Sequence, residues 1–219
     1  MKILSINISE PKKIIFNGKE LITSIYKKPI DGLVNVGDVG IDGDLQADLK
    51  VHGGYDKAIY AYSFQHYKFW SEKLNQDFND FGLVGENLTI DDFNEKDLNI
   101  GDEISIGSCL LQISQPRIPC YKVGIKMNNR DFPKIFSQSC LLGSYLRVLE
   151  TGKFKPGDEV EISKREKNSM SIYDISDILF NDLKNIDKMK KALDLKFLTE
   201  EIKERFRERL MKLGDFSSL

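Results

Sequence analysis

Ile100-Gly-Asp-Glu-Ile104 and Pro156-Gly-Asp-Glu-Val160 write the same device twice, a Gly-Asp turn placed immediately before an amphipathic strand. Two matched corners fit a closed barrel better than a parallel sheet. Around them, short β-like runs bounded by Gly, Asn or Asp recur at Val34–Val39, Ala58–Tyr62, Asn87–Ile90, Glu103–Ile106, Cys109–Ser114, Tyr145–Glu150 and Glu159–Ser163. Residues 2–8 and 19–26 alternate in the same way. Between them stands Asn17-Gly18, the two-residue signal of a tight hairpin with positive φ, which predicts that these first two strands pair antiparallel.

Helices interrupt this region sparingly. Ser63 is an N-cap candidate for a helix in which Phe64, Tyr67, Trp70, Ser71 and Leu74 recur at helical spacing, with His66 on another part of the wheel. A short helix is expected after Asp131, with Pro133 in its first turn. After Lys164 the pattern changes: turn glycines vanish until Gly214, and apolar residues from Ile172 to Leu210 repeat at three or four. Three helices are predicted there, starting at the capping-box-like Ser171-Ile-Tyr-Asp174 and, for the last, at Thr199 with Glu200 and Glu201. The expected architecture is mainly β (α+β), a mixed β-barrel domain over residues 1–164 followed by a three-helix domain over 165–219.

Composition narrows the function. The chain has 219 residues, 41% of them hydrophobic, and 32 Lys plus Arg against 34 Asp plus Glu, so a net charge of −2 offers no global attraction for nucleic acid or an anionic membrane. No run approaches the ~20 apolar residues of a membrane span, and the N-terminus lacks an apolar signal region. A cytoplasmic protein is expected. Cys109, Cys120 and Cys140 are an odd count without a C-x-x-C pair, which suggests neither a disulfide framework nor a thiolate metal cluster. One thiol must act alone if any acts.

The stretch Ile113-Ser-Gln-Pro-Arg-Ile-Pro-Cys-Tyr-Lys122 singles out which. Pro116 and Pro119 fix φ and remove two donors, so this loop should be stiff and stay out of a sheet ladder. Cys120 is thereby held in place, and Arg117 and Lys122 bring the positive charge that favours a thiolate as nucleophile or metal ligand. Cys109 and Cys140 read as packing.

A second stretch runs from Gly37 through His52-Gly-Gly-Tyr-Asp-Lys57. Gly53 and Gly54 permit positive φ and close approach of backbone N–H groups to an anion, and Lys57 adds the matching charge, although the spacing is neither a Walker-A nor a dinucleotide-binding pattern. Asp42, Asp44, Asp48 and Asp56 keep a calcium loop open without the EF-hand spacing. His52 is a general acid/base, an anion donor or a turn residue.

Taken together, Gly43-Asp-Leu-Gln-Ala-Asp48, Val51-His-Gly-Gly-Tyr-Asp-Lys-Ala58, Gly85-Glu-Asn-Leu88 and Ser114-Gln-Pro-Arg-Ile-Pro-Cys-Tyr-Lys122 resemble, in order, the motifs of the MOSC domain, and the helical tail resembles the extension of its YiiM-type bacterial members. The resemblance implies a mixed β-barrel that binds a molybdenum–pterin cofactor, with Cys120 as the protein ligand to molybdenum and the catalytic centre. It also implies two-electron reduction of N-hydroxylated compounds, hydroxylaminopurine-type bases among them. A single thiolate suffices for such a metal because the cofactor's dithiolene and oxo groups supply the other donors. Arg117, Lys122, His52 and Lys57 would then balance the cofactor's charge, Gly53 and Gly54 would face it, and Asn87 would offer an amide that donates and accepts. With no nicotinamide, haem or iron–sulfur signature in the chain, electrons are expected from a separate redox protein, a flavin reductase for example. Two other readings stay open: a cofactor or sulfur carrier, and a cysteine hydrolase using Cys120 and His52.

Overall fold

The structure, a computed structural model, describes residues 1–47 and 53–215. Its strands are β1 (Ile3–Ile8), β2 (Lys12–Phe16), β3 (Lys19–Thr23), β4 (Lys28–Ile30), β5 (Val34–Gly37), β6 (Gly40–Ile41), β7 (Ile59–Ser63), β8 (Leu88–Ile90), β9 (Glu103–Ile106), β10 (Cys109–Pro116), β11 (Ser144–Glu150), β12 (Gly152–Phe154) and β13 (Val160–Lys164). The helices are α1 (Gln65–Leu74), α2 (Tyr121–Lys126), α3 (Phe132–Ser139), α4 (Ile172–Phe180), α5 (Ile186–Leu193) and α6 (Glu200–Lys212). The fold is mixed α+β.

An eight-stranded sheet in the order β13-β9-β10-β11-β7-β8-β1-β4 carries the fold, parallel only between β7 and β8. The sheet curls until its β13 edge meets the start of β1. There the Ile3 N–H donates to the Asp158 carbonyl (3.0 Å), the Val160 N–H donates to the Met1 carbonyl (2.7 Å), and Lys2 and Glu159 form one bridge. The closed barrel expected from the Gly-Asp corners is therefore not formed: no ladder crosses this seam among the described residues. The reason is that β4 pairs with β1 over Ile6–Ile8, which leaves only the first residues of β1 for β13. Both corners do turn on glycines in the left-handed region, Gly101 and Gly157, each at φ 89°.

Strand β7 shows why the sheet is covered on both faces. All five of its residues are buried; Ile59 and Ala61 join the cluster inside the curl, while Tyr60 and Tyr62 join a second cluster with Tyr67, Trp70, Phe132 and Phe136 under α1–α3. Trp70 is fully buried and donates its indole N–H to the Tyr62 hydroxyl (2.7 Å), so this aromatic layer satisfies its own polar atoms. Side chains of α4, α5 and α6, Ile175, Met189 and Phe206 among them, belong to the same cluster as Ile100 and Ile113 of the sheet region. The N-cap expected at Ser171 is present: its hydroxyl accepts from the Asp174 N–H (3.0 Å). No helix among the described residues is long and apolar enough to cross a membrane.

Three local expectations change. Asn17 and Gly18 do form the tight turn, at φ 51° and 74°, but it joins β2 to β3, and β1 pairs with β4 and β8 instead. The Lys12–Phe16 run competes for the turn and wins because it lies directly against it. Ser63 ends β7, and the N-cap position of α1 is Phe64, without a side-chain cap bond. Pro116 does join a ladder, opposite Ser144; as the last residue of β10 it can do so without an N–H to contribute.

Candidate functional site

Where β10 leaves the sheet at Pro116, the chain turns through Arg117, Ile118 and Pro119 into Cys120, the N-cap residue of α2, in extended conformation (φ −112°, ψ 164°). The Cys120 carbonyl accepts the Val123 N–H (3.1 Å) and opens the helix, leaving the half-buried thiol on the wall of a cleft. This cleft encloses about 620 Å³ of empty space, part of it open to solvent. Of the residues singled out from sequence, it brings together Cys120, Arg117, Lys122, Lys57 and Asn87. Gly53 and Gly54 are not among the lining residues; Gly54, at φ 92°, instead starts the 3-10 turn Tyr55–Lys57 by accepting the Lys57 N–H (3.0 Å). His52 lies outside the described residues. The other histidine, His66, is away from this cleft in a buried pair with Glu95 (2.8 Å).

Arg117 is the central cation. Only 6% exposed, it donates to the Val84 carbonyl and lies over the Tyr60 ring, 4.7 Å from its centroid. Burial works against its charge, but Tyr60, Tyr145 and Cys120 outweigh burial and hold its pKa above the ordinary value. The guanidinium is therefore charged at any working pH. Burial raises the pKa of both tyrosines, which stay neutral; the Tyr60 hydroxyl donates to the Leu142 carbonyl (2.7 Å). Lys57 is ion-paired with Glu201 at the start of α6, and Lys122 Nζ donates to the Ile22 carbonyl (3.4 Å).

The site also contains groups that sequence reasoning missed. Lys27 and Asp44 form an ion pair on the cleft wall, with side chains 9% and 4% exposed. Burial lowers the Lys27 pKa, and Asp44 opposes that shift. Asp44 accepts further hydrogen bonds from the Ser9 N–H (2.9 Å) and from Asn87 Nδ2 (2.8 Å). Asn87 is thus committed within the protein, since it also accepts the Tyr60 N–H (3.1 Å) and donates to the Asn7 carbonyl (3.2 Å). Both of its N–H donors are spent, one of them on positioning Asp44, while Oδ1, accepting only the Tyr60 N–H, keeps a second lone pair. Below the wall, Lys126 Nζ donates to the Ile25 (3.0 Å) and Gly82 carbonyls; burial pulls its pKa down to about 8. Asp44 had a signal, in the Gly43–Asp48 motif, but weighed as a calcium carboxylate; Lys27 had none, because its partner is 17 residues away.

Two buried polar atoms on this wall, Ser24 Oγ and Gln46 Oε1, have no hydrogen-bond partner among the described residues. Buried polar atoms are rarely left so, and a water, an ion or a bound polar group is the ordinary partner. The other two thiols contrast with Cys120. Cys109 and Cys140 are buried, and burial pushes them up to about 11 and about 12, so neither is a thiolate at neutral pH.

Residues 48–161 match the MOSC domain family. Over 211 residues the chain is 33% identical to the uncharacterized protein YflK of Bacillus subtilis (strain 168), covering 96% of this chain and 95% of that one. It superposes on the crystal structure of YiiM from Geobacillus stearothermophilus with a TM-score of 0.81 at 33% identity, over 95% of this chain and 98% of the other. A protein of Gibberella moniliformis named Reductase is 30% identical over 168 residues, which cover 74% of this chain and 29% of that much longer one.

Proposed function

This chain belongs to the MOSC domain family, and we propose that its Cys120 cleft binds a molybdenum–pterin cofactor and reduces N-hydroxylated compounds, hydroxylaminopurine-type bases among them. The observation that carries the reading is the gathering of one thiol with Lys27, Lys57, Arg117 and Lys122 in a single cleft. These residues come from separated parts of the chain, and together they suit a soft metal bound to an anionic, phosphate-bearing organic group. Ser24 Oγ and Gln46 Oε1 supply the polar contacts such a group would complete.

In this reading Cys120 is the protein ligand to molybdenum, and Arg117 and Lys122 balance phosphate and dithiolene charge, while Lys27 and Lys57, paired with Asp44 and Glu201, offer N–H donors. When bound, the cofactor supplies the two-electron couple that converts N–OH to N–H with release of water. Arg117 stays charged beside the thiol and favours its thiolate form. Lys27 holds a proton against Asp44 at the cleft wall, within a set of hydrogen bonds that Asn87 fixes. The helical part after residue 164 shares its core with the sheet and braces the cleft from outside, through Lys57–Glu201 and through the Thr199 hydroxyl, which donates to Gln115 Oε1 (2.7 Å). Electrons come from a separate flavin-containing protein. The test is conversion of 6-hydroxylaminopurine to adenine by purified, molybdenum-replete protein with reduced benzyl viologen. Turnover that disappears in protein from a host unable to make the cofactor supports the reading. Molybdenum-replete protein without turnover contradicts the reductase assignment and favours a carrier.

A further inference from the structure

The four residues Arg117–Cys120 are a partition. Arg117 and Cys120 line the cleft, whereas Ile118, between them, faces a second depression on the other side, of about 570 Å³ and partly open, bounded by α4 and α6. Its apolar floor is Ile118, Leu179 and Phe180, and its rim carries Arg205, Arg209 and Lys212 against a single acid, Glu208. Arg209 donates to the Ile178 (2.5 Å) and Leu179 (3.1 Å) carbonyls, which ties α6 to the end of α4 and holds the groove open. Arg205 and Lys212 are left on the solvent side, Arg205 sharing Glu201 at 3.4 Å. Other basic residues of the tail are engaged elsewhere: Lys190 pairs with Asp215 (2.7 Å), and Lys203 is largely covered beside Glu200 (3.5 Å).

We infer that this groove is the docking surface for the electron donor, a redox protein with an acidic, partly apolar face. The inference rests on the reductase reading above. A basic rim around an apolar floor recruits an acidic partner by long-range attraction and then excludes water at the contact. Ile118 stands two residues from Cys120, so a partner seated on it lies one loop thickness from the thiol. Pro119 fixes φ within that loop. The balance is complete: a reduced flavin gives up two electrons and two protons, and N–OH becomes N–H plus water. A small transient contact, below ~1,200 Å², is sufficient for such an exchange.

The experiment uses the full, molybdenum-loaded chain and two reductants, reduced benzyl viologen and an acidic flavodoxin kept reduced by its own nicotinamide-dependent reductase. The variants are Arg205→Glu with Lys212→Glu, and Lys191→Glu as a control on an exposed lysine outside the groove. The groove variant is expected to keep its viologen rate, because a cationic dye is not repelled by added Glu. Its KM for flavodoxin should rise about tenfold or more at low salt, the difference closing at high salt. An unchanged KM for flavodoxin, or an equal rise in Lys191→Glu, overturns the docking site. Viologen turnover without any flavodoxin turnover in the unsubstituted chain overturns the acidic partner. Absence of viologen turnover in that chain overturns the reductase reading itself.

Discussion

Replacing Asp44 by Asn leaves the shape of the cleft wall intact but strips the counter-charge from Lys27. The amide oxygen can still accept the Ser9 N–H, but the NH2 that replaces Oδ2 then faces the Asn87 Nδ2 donor, so both the ionic partner of an ammonium that is 9% exposed and the Asn87 hydrogen bond are lost. Removing one member of a buried pair costs about 3–5 kcal/mol, because the survivor is left charged in a poorly solvated place. With the Ser9 hydrogen bond retained and the Asn87 one lost, the expected cost is about 3 kcal/mol or more. For a chain of this size that corresponds to a fall of about 6–12 °C in Tm. Urea unfolding of Asp44→Asn, Lys27→Met and the double variant measures it. The double variant is expected to be more stable than Asp44→Asn alone and to recover at least half of the loss, because no uncompensated charge remains. If Asp44→Asn costs less than about 1 kcal/mol, the pair is screened by solvent and the cleft is wetter than its burial indicates.

Lys126 gives a pH dependence of defined sign. Its folded pKa, about 8, is below the unfolded 10.5, so between those values the unfolded chain binds more protons, and this group's contribution to stability rises with pH. Relative to Lys126→Met, the native chain should gain about 2 kcal/mol between pH 7 and pH 9.5 in urea midpoints compared at each pH; a constant difference contradicts the placement. Gly85→Ala should destabilise by about 2 kcal/mol or more, because the residue sits at φ 89° and a Cβ would lie 2.8 Å from Ile25 Cγ1; an unchanged Tm contradicts it. Cys109→Ala and Cys140→Ala should lower stability by removing buried volume yet retain all bound molybdenum, as metal analysis of the purified variants will show.

What was legible in the sequence was local. The Asn17-Gly18 turn, the Ser171 cap and the three tail helices each depend on residues within a turn or two of one another, and each is present. The position of Cys120 beside two cations was legible because its prolines and cations are neighbours in the chain, and the cleft lining contains all three. The partners of β1, the Lys27–Asp44 pair and the Arg147–Asp56 contact (2.5 Å) were not, since they join segments whose sequences carry no mark of each other. The closed barrel failed for the same reason: its two corners are local signals, but closure depends on which strand occupies the edge of β1. Asn87 shows the limit from the other side, a residue that lines the cleft but whose two N–H donors are spent on Asp44 and Asn7.

We propose that one thiolate, Cys120, holds molybdenum in this cleft. It is tested most directly by measuring molybdenum and pterin per chain in the native protein and in Cys120→Ser, both purified from a cofactor-competent host and both confirmed folded by their unfolding transitions. The native chain should carry about one molybdenum and one pterin, as a single-thiolate site requires, and Cys120→Ser should lose most of the metal. A native chain without molybdenum, or a folded Cys120→Ser that keeps it all, contradicts the account.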